Sequence, residues 1–356
     1  GYTQFFEQQI SALAGVPVRI EALTGSFQGF NPALTIKGLR LRVAGAGAAG
    51  PDLEAIYFES AQIVVDVPRS IWRRQWVLND FSVENLEVNL EQNDDDSWQL
   101  QGISLGGGGS VELAKVYESF LSISRLDMAN VSLNVQTNSG DRYQFNDGSA
   151  SIRNQDATHY LYLSVFPENN RAAISASLEV EGQRLAQMSG RLHFDIPVGN
   201  YTELAANQYA SDFEILELVG GGEVWAELDA GQVKEIVAQP QISRLAFKGA
   251  YSEGTTLQQI NGVLKLGLRE GLTQVDMSRM YLSWAGVNWL DFNASMQIDA
   301  ESNFELIADK LSIDLLAGVA NASGLASPDA QAQLTQYDPK GMLKNFKLTG
   351  AMGDGG

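Results

Sequence analysis

The sequence predicts a mainly β fold: an elongated, strongly curved antiparallel sheet that forms a hydrophobic groove, with a few short α-helices at the N-terminal end and on one face. In many segments apolar and polar residues alternate one by one, which gives a strand one dry face and one wet face. Turn-forming Gly, Asn, Asp and Ser separate these segments at short intervals. About fifteen strands are predicted, and a sheet of that size cannot stay flat with a bare apolar face; it must curl, close, split or hold a ligand.

Residues 16–43 predict the first hairpin of this sheet. Val18 and Ile20 alternate with charged residues, a turn rich in Gly and Phe follows at 25–30, and residues 34–43 return as a second strand. The clearest later strands are predicted at 83–91, 131–136, 174–180, 192–196, 224–228, 242–250, 260–269, 274–277, 281–284 and 292–298. Helical spacing predicts helices at 3–14, 111–121, 201–218 and 313–322, and a short helix or corner at 70–76.

Composition excludes several classes of function. The net charge is 24 − 43 = −19 with a sequence pI near 4.5, which argues against a nucleic-acid partner, because phosphate binding requires clustered Lys and Arg. The same charge disfavours broad adhesion to an anionic bilayer. The chain has no Cys, so disulfides, thiol catalysis and cysteine zinc sites are excluded.

No motif points to catalysis, a cofactor or a metal. The segment GAGAAG at 45–50 matches a dinucleotide fingerprint, but no crossover helix of adequate length follows it, so a loop is predicted. Asp94–Asp96 lacks the ligand order of a calcium loop and is predicted as a solvated turn. His159 and His193 are far apart in the sequence and are predicted to lie on the surface. We therefore predict no catalytic, cofactor or metal residues and no enzyme activity.

Membrane attachment is expected from outside the given sequence. The sequence contains no apolar run of about 18 residues, the length that a membrane-spanning helix needs. The chain starts at Gly1 without Met, so we expect a piece of a longer protein with an anchoring segment upstream. The glycine-rich segment 106–110 is interpreted as a flexible loop, either native or engineered.

Three segments resemble the AsmA-like family of bacterial envelope proteins, and within it the YhdP group. In the first segment the matching positions are Leu13, Gly15, Pro17, Val18, Ile20, Gly25, Pro32, Leu34, Ile36, Leu39 and Leu41. The second is FSVENLEVNLEQNDDDSWQLQGI, with Ser97 where the family usually has Gly before Trp. The third, near the C-terminus, matches at Pro339, Gly341, Leu343, Asn345 and Leu348.

This resemblance implies a role that the residues alone do not specify. AsmA-like proteins are anchored in the inner membrane and extend into the periplasm of Gram-negative bacteria. They resemble bridge-like lipid transfer proteins built from repeating β-groove units. The implied function is to carry phospholipid between inner and outer membrane and so support the outer-membrane barrier, with envelope proteins as possible partners. No cofactor and no catalytic residue is implied.

On this basis residues 1–350 are predicted to form one elongated β-groove region, followed by a flexible tail at 351–356. Residues 1–121 would be its membrane-proximal part and 122–350 its repeating strands. Phe27 and Phe30, at the tip of the first hairpin, are predicted to form the membrane-proximal mouth; packing under the N-terminal helix is the alternative. The residues predicted to line the groove are Ile174, Ala176, Leu178, Val180, Leu192, Phe194, Ile196, Val224, Ala226, Leu228, Phe292, Ala294, Met296 and Ile298.

Two other classes of function stay open at this point. A β-rich structural or adhesive module would close the same apolar residues on each other as an ordinary core. A glycan-active enzyme would bring two carboxylates together beside a Trp. The alternation of residues does not distinguish a groove from a closed core.

Overall fold

A computed structural model describes most of the chain. The described residues are 3–4, 7–8, 18–43, 53–74, 77–92, 98–100, 123–138, 140–167, 172–182, 187–205, 213–249, 254–269, 271–323 and 328–351. They divide into two compact units, Gly1–Gly190 and Arg191–Gly356. The predicted helix at 111–121 and the segments at 45–50, 94–96 and 106–110 lie outside the described residues.

The described part of the chain contains 17 strands and four short helices. The strands are β1 Val18–Gln28, β2 Asn31–Val43, β3 Leu53–Val65, β4 Leu78–Gln92, β5 Trp98–Leu100, β6 Arg125–Gln136, β7 Arg142–Gln155, β8 Thr158–Pro167, β9 Ile174–Glu181, β10 Ser189–Asn200, β11 Phe213–Asp229, β12 Gln232–Gly249, β13 Thr255–Arg269, β14 Leu272–Trp284, β15 Val287–Asp299, β16 Asn303–Ser312 and β17 Met342–Ala351. The helices are α1 Val67–Arg73, α2 Thr202–Ala205, α3 Ile313–Ser323 and α4 Pro328–Tyr337. The prediction of a mainly β chain is confirmed.

Strands of the first unit pair mostly with their sequence neighbours. Antiparallel pairing joins β1 to β2, β2 to β3 and β3 to β4, and then continues from β6 through β9. Strand β4 also pairs in parallel with β6, from Asp80 opposite Arg125 to Glu91 opposite Gln136. The predicted hairpin at 16–43 is confirmed as β1 and β2, joined by a turn at Gly29–Phe30.

Strands β11 to β17 of the second unit pair antiparallel in sequence order. The largely antiparallel part of the prediction is therefore confirmed. Pairing of this kind describes a ladder of successive strands. The predicted strong curvature is wrong: among the described residues the paired strands of each unit neither close nor curl strongly, and the end strands β11 and β17 of this ladder do not pair with each other.

Some predicted elements differ from the observed ones. The helix predicted at 201–218 is wrong from Phe213 onward: residues 202–205 are helical, but β11 begins at Phe213. Pairing with β12 overrides the helical spacing there, since Ile215 is buried opposite Phe247. The strands predicted at 274–277 and 281–284 are one strand, β14, with a register shift against β15 between Met277 and Met280. Helix α3 was predicted, whereas α4 has no apolar stripe that would reveal it.

The prediction that His159 lies on the surface is wrong. His159 is buried, because pairing places it opposite Val180, on the face of β8 that carries Leu161 and Leu163. Its Nδ1 lies 2.8 Å from Asn154 Oδ1 and its Nε2 lies 2.8 Å from the carbonyl oxygen of Gly182. Both ring nitrogens thus lie within hydrogen-bond distance of an oxygen acceptor, and the ring N–H that donates there compensates the burial of this polar side chain.

An ion cluster ties the start of β6 to β7. Asp127 accepts a hydrogen bond from Arg153 at 2.8 Å and another from Arg125 at 2.6 Å, and Arg125 also lies 3.9 Å from Asp80. Partial burial raises the pKa of Asp127, but the two arginine hydrogen bonds outweigh it, so that this pKa lies below its ordinary value. The ionised carboxylate is thus the form that the folded state favours.

We expect Asp127 to make the stability of the chain depend on pH. A lowered folded-state pKa contributes stability that is present above the unfolded pKa, about 4, and is lost as pH falls through the lower folded value. Asp127→Asn should therefore lower the thermal midpoint near neutral pH and converge with the original chain at the acid end. A midpoint difference that does not change with pH would contradict this assignment.

Candidate functional site

Apolar residues cross the second unit in two unbroken rows, each spanning seven strands. Residues that lie directly opposite each other in paired strands share a face of the sheet. The first row is Val224, Ala238, Leu264, Met277, Ala294, Ala308 and Phe346. The second row is Ala226, Ile236, Leu266, Val275, Met296, Leu306 and Leu348. Together these rows are termed the second-unit track.

The second-unit track is a surface for apolar groups. At ~4.8 Å between neighbouring strands, seven strands make it about 29 Å wide. Ala308 and Ala294 are buried, Leu348 is exposed, and the other track residues are half-buried. A half-covered apolar face of this extent is typical of a binding surface.

The opposite face of the same strands is polar. Salt bridges cross it from Lys265 to Glu235 at 2.7 Å and from Lys347 to Glu305 at 2.7 Å. His193 stacks on Trp225 with ring centroids 5.1 Å apart and lies 3.1 Å from a carboxylate oxygen of Glu223. His193 is thus on the polar side of its strand, as predicted, although it is half-buried.

Helix α3 covers one end of the second-unit track. Leu315 of this helix is 1% exposed and packs with Met280, Trp289 and Phe292. The rings of Trp289 and Phe292 stack with centroids 3.6 Å apart, and Trp289 Nε1 has no hydrogen-bond partner among the described residues. The track is therefore closed as a packed core at this end.

Glycine at position 318 lets α3 approach the sheet closely. A Cβ added at Gly318 would overlap the ring of Trp284. Any larger residue there would push the helix away from the sheet or displace the ring. The close approach seals the covered end of the track.

The first unit carries a track of the same kind. One row crosses eight strands through Leu23, Ile36, Ala61, Val83, Met128, Ala150, Leu163 and Ala176. A second row crosses seven strands through Leu34, Ile63, Phe81, Leu126, Ile152, Leu161 and Leu178. These two rows are termed the first-unit track.

The predicted lining residues lie on these faces. In the first unit Ala176 and Leu178 belong to the track rows, Ile174 lies opposite Val165 on the same face, and Val180 is the partner of His159. In the second unit Val224, Ala226, Ala294 and Met296 belong to the rows, and Leu228 and Ile298 continue the alternation of their strands. Leu192, Phe194 and Ile196 alternate with His193 and so lie on the face of β10 that is opposite to its polar side.

Phe292 has surroundings different from those of the other predicted lining residues. It is 4% exposed and lies under α3 in the packed cluster with Trp289. The alternation in the sequence could not distinguish it from Ala294, because the helix that covers it comes about 20 residues later in the chain. For this position the closed-core interpretation fits better than an open lining.

A depression of about 650 Å³ lies against the polar face of the second unit. Side chains around it include Glu235, Lys265, Gln274, Asp276, Ser295 and Asp309. Asp276 accepts hydrogen bonds from Ser295 Oγ at 2.7 Å and from Gln274 Nε2 at 2.8 Å. The pKa of Asp309 is raised by partial burial, but hydrogen bonds from Asn293 outweigh this and set it below its ordinary value.

The predicted mouth residues are both exposed. Phe27 is 76% exposed and Phe30 is 96% exposed, so neither packs under another element described in the structure. This excludes, within the described residues, the alternative that the two rings are buried below the N-terminal helix. Sequence reasoning missed two further exposed side chains near them, Ile71 and Trp72 of α1, because the segment was predicted only as a short helix or corner without an exposed face.

Within the described residues, no group of three or more His, Asp or Glu side chains is arranged to hold a metal ion. None of the helices found there is both long enough and apolar enough to cross a bilayer.

Comparison with known proteins identifies the family of the chain. A family model described as YhdP protein matches residues 1–352. No curated protein and no solved structure matches the chain.

Proposed function

This chain belongs to the YhdP protein family, and on that premise we propose that it is a lipid-transport conduit. Phospholipid acyl chains lie along the apolar tracks while their headgroups remain in water. The chain thereby carries phospholipid between inner and outer membrane and supports the outer-membrane barrier. The single observation that carries the proposal is the pair of unbroken apolar rows across the strands of each unit, which in the second-unit track are mostly half-buried.

The energetics favour acyl chains as the ligand. Each methylene removed from water contributes ~0.8 kcal/mol, so a chain of about fifteen methylenes needs roughly 12 kcal/mol of shielding. Rows that continue from strand to strand supply this shielding without interruption. Movement along such rows needs no energy-consuming motif in this chain.

The groove is proposed as the apolar face of the strands in each unit. Shielding requires only that the rows stay continuous and free of charge. We place the conduit in the periplasm, attached to the inner membrane by an anchor outside the given sequence, with envelope proteins as further partners. It has no catalytic role, and Phe27 and Phe30 mark its membrane-proximal mouth.

Native mass spectrometry of the purified chain tests this proposal. We expect phospholipid to co-purify and to appear as a mass increment that organic extraction removes. Uptake of a soluble short-chain fluorescent phospholipid by the extracted chain gives a second, independent reading. A chain that is free of lipid and takes up none of the fluorescent phospholipid would refute the proposal.

The polar depression of the second unit favours a second candidate, binding of a polysaccharide. Carboxylates, amides and a hydroxyl converge there, and sugars are recognised by such groups. Titration calorimetry with soluble glycan fragments distinguishes the two functions: binding that Asp276→Ala abolishes, in a chain that carries no phospholipid, supports this second function.

A further inference from the structure

Four exposed apolar side chains lie at one end of the first unit. Phe27 and Phe30 flank the turn between β1 and β2, and Ile71 and Trp72 lie on helix α1, with 73% and 89% of their surface exposed. Single exposed apolar residues are ordinary, but four at one end of a sheet form a patch. These four residues are termed the tip patch.

Hydrogen bonds hold the two parts of the tip patch together. The backbone N–H of Val67, the first residue of α1, donates to Asn31 Oδ1 at 3.4 Å, and Asn31 is the first residue after the hairpin turn. Gln28 Nε2 donates to Gln62 Oε1 at 3.0 Å, which joins the hairpin to β3 just before α1.

Helix α1 is fixed at both ends, although it has only seven residues. Asp66 caps its start by accepting from the backbone N–H of Arg69 at 2.9 Å, and Arg74 ends it in the left-handed conformation. Ser70 Oγ accepts from the backbone N–H of Val77 at 2.9 Å, which ties the helix to the segment that leads into β4. The tip patch is thus presented on a fixed support.

The charge around the tip patch is opposite to that of the whole chain. Residues 66–76 include three arginines and one aspartate, whereas the chain has a net charge of −19. Arg69 and Arg74 are exposed, although Arg69 also lies 3.5 Å from Asp66 and donates to Ser124 Oγ at 3.1 Å. Exposed Trp and Phe beside Arg are the combination that favours the headgroup region of a bilayer, where the rings enter the interface and the guanidinium groups meet anionic lipid.

We propose that the tip patch docks the chain on the surface of an anionic phospholipid bilayer. The other candidate occupant is a partner protein. A lipid surface fits better, because four side chains on a turn and a short helix make a small projecting patch, whereas a stable protein interface buries about 800 Å² on each partner. The inference concerns docking and does not require that the tracks carry lipid.

Vesicle co-sedimentation tests the proposal. Vesicles of equal parts phosphatidylglycerol and phosphatidylethanolamine are compared with vesicles of phosphatidylcholine alone, using the full 356-residue chain. We expect binding to the anionic vesicles that weakens as salt rises. Phe27→Ser/Phe30→Ser/Trp72→Ser should lower this binding by at least about tenfold, because the interfacial rings are lost.

Two control variants distinguish docking by the tip patch from non-specific binding of exposed apolar side chains to vesicles. The first removes three exposed apolar side chains of the second unit, Val198→Ser/Leu290→Ser/Tyr337→Ser, and should bind as the original chain does. The second, Arg74→Asn, keeps a residue that tolerates the left-handed conformation and should weaken binding to anionic vesicles alone. Circular dichroism confirms that each variant is folded.

The proposal is overturned if the original chain does not bind anionic vesicles, or if the tip variant and the second-unit control bind equally. If the tip patch binds a partner protein and not a bilayer, the original chain will not bind anionic vesicles. Uptake of the soluble short-chain phospholipid is measured on the same variants and needs no bilayer. A chain that binds anionic vesicles but takes up no short-chain phospholipid would support docking and refute the lipid conduit. A chain that takes up the phospholipid but does not bind anionic vesicles would refute docking alone.

Discussion

Ala294→Asp is expected to reduce the phospholipid that co-purifies with the chain by at least about tenfold. Ala294 lies in the first row of the second-unit track, between Met277 and Ala308. A carboxylate there keeps its hydration shell and so excludes the neighbouring acyl methylenes. Loss of contact with three or four methylenes at ~0.8 kcal/mol each removes about 3 kcal/mol of binding free energy.

Two further variants, Ala238→Asp and Val237→Asp, change neighbouring residues of β12 and serve as a matched pair. Ala238 belongs to the same row and is half-buried, so Ala238→Asp places a charge on the track with less disturbance of the fold than Ala294→Asp, whose site is 9% exposed. Val237 is the adjacent residue and faces the other way, opposite Lys265. Val237→Asp therefore adds the same charge to the polar face, next to a cation.

Native mass spectrometry measures the amount of phospholipid that co-purifies with each of the three variants. We expect little phospholipid on Ala238→Asp and Ala294→Asp, and an unchanged amount on Val237→Asp. Equal loading of all three folded variants would contradict the assignment of the apolar face as the lipid track. If Ala294→Asp does not fold, the comparison of Ala238→Asp with Val237→Asp still decides the question.

Alternation in the sequence located most of the strands and their apolar faces, although the start of β11 was predicted as a helix. Ile174 to Val180 and Ala294 to Ile298 follow a period of two, and pairing places the apolar members of each strand on one face. This works because a strand directs successive side chains to opposite faces whatever its neighbours are. The family resemblance was confirmed over residues 1–352.

The alternation of apolar and polar residues did not predict the packing between residues distant in the sequence. Nothing near Phe292 in the sequence shows that α3 covers it, and nothing near His159 shows that Val180 and Gly182 surround it. The parallel pairing of β4 with β6 also joins strands that are not adjacent in sequence. Such contacts depend on which elements pack together in the fold, and the local periodicity of the sequence does not predict this.

Helix α3 should be held to the track chiefly by Leu315, and Leu315→Ala is expected to destabilise the chain by about 2–5 kcal/mol. The side chain is 1% exposed and packs on Met280, Trp289 and Phe292, so its removal leaves a cavity that the surrounding rings fill only partly. Leu316, the next residue, is 41% exposed. Leu316→Ala makes the same chemical change without a cavity and should alter stability by less than about 0.5 kcal/mol.

Urea unfolding followed by tryptophan fluorescence measures both leucine variants, because Trp284 and Trp289 lie in the cluster that α3 covers. Equal effects of the two substitutions would show that α3 does not seal the track. Loss of the seal also has a consequence for the proposed conduit. With α3 displaced, Phe292 and Met280 join the open apolar face, so Leu315→Ala should take up at least as much short-chain phospholipid as the original chain despite its lower stability. A large loss of uptake would instead assign α3 a direct part in holding the lipid.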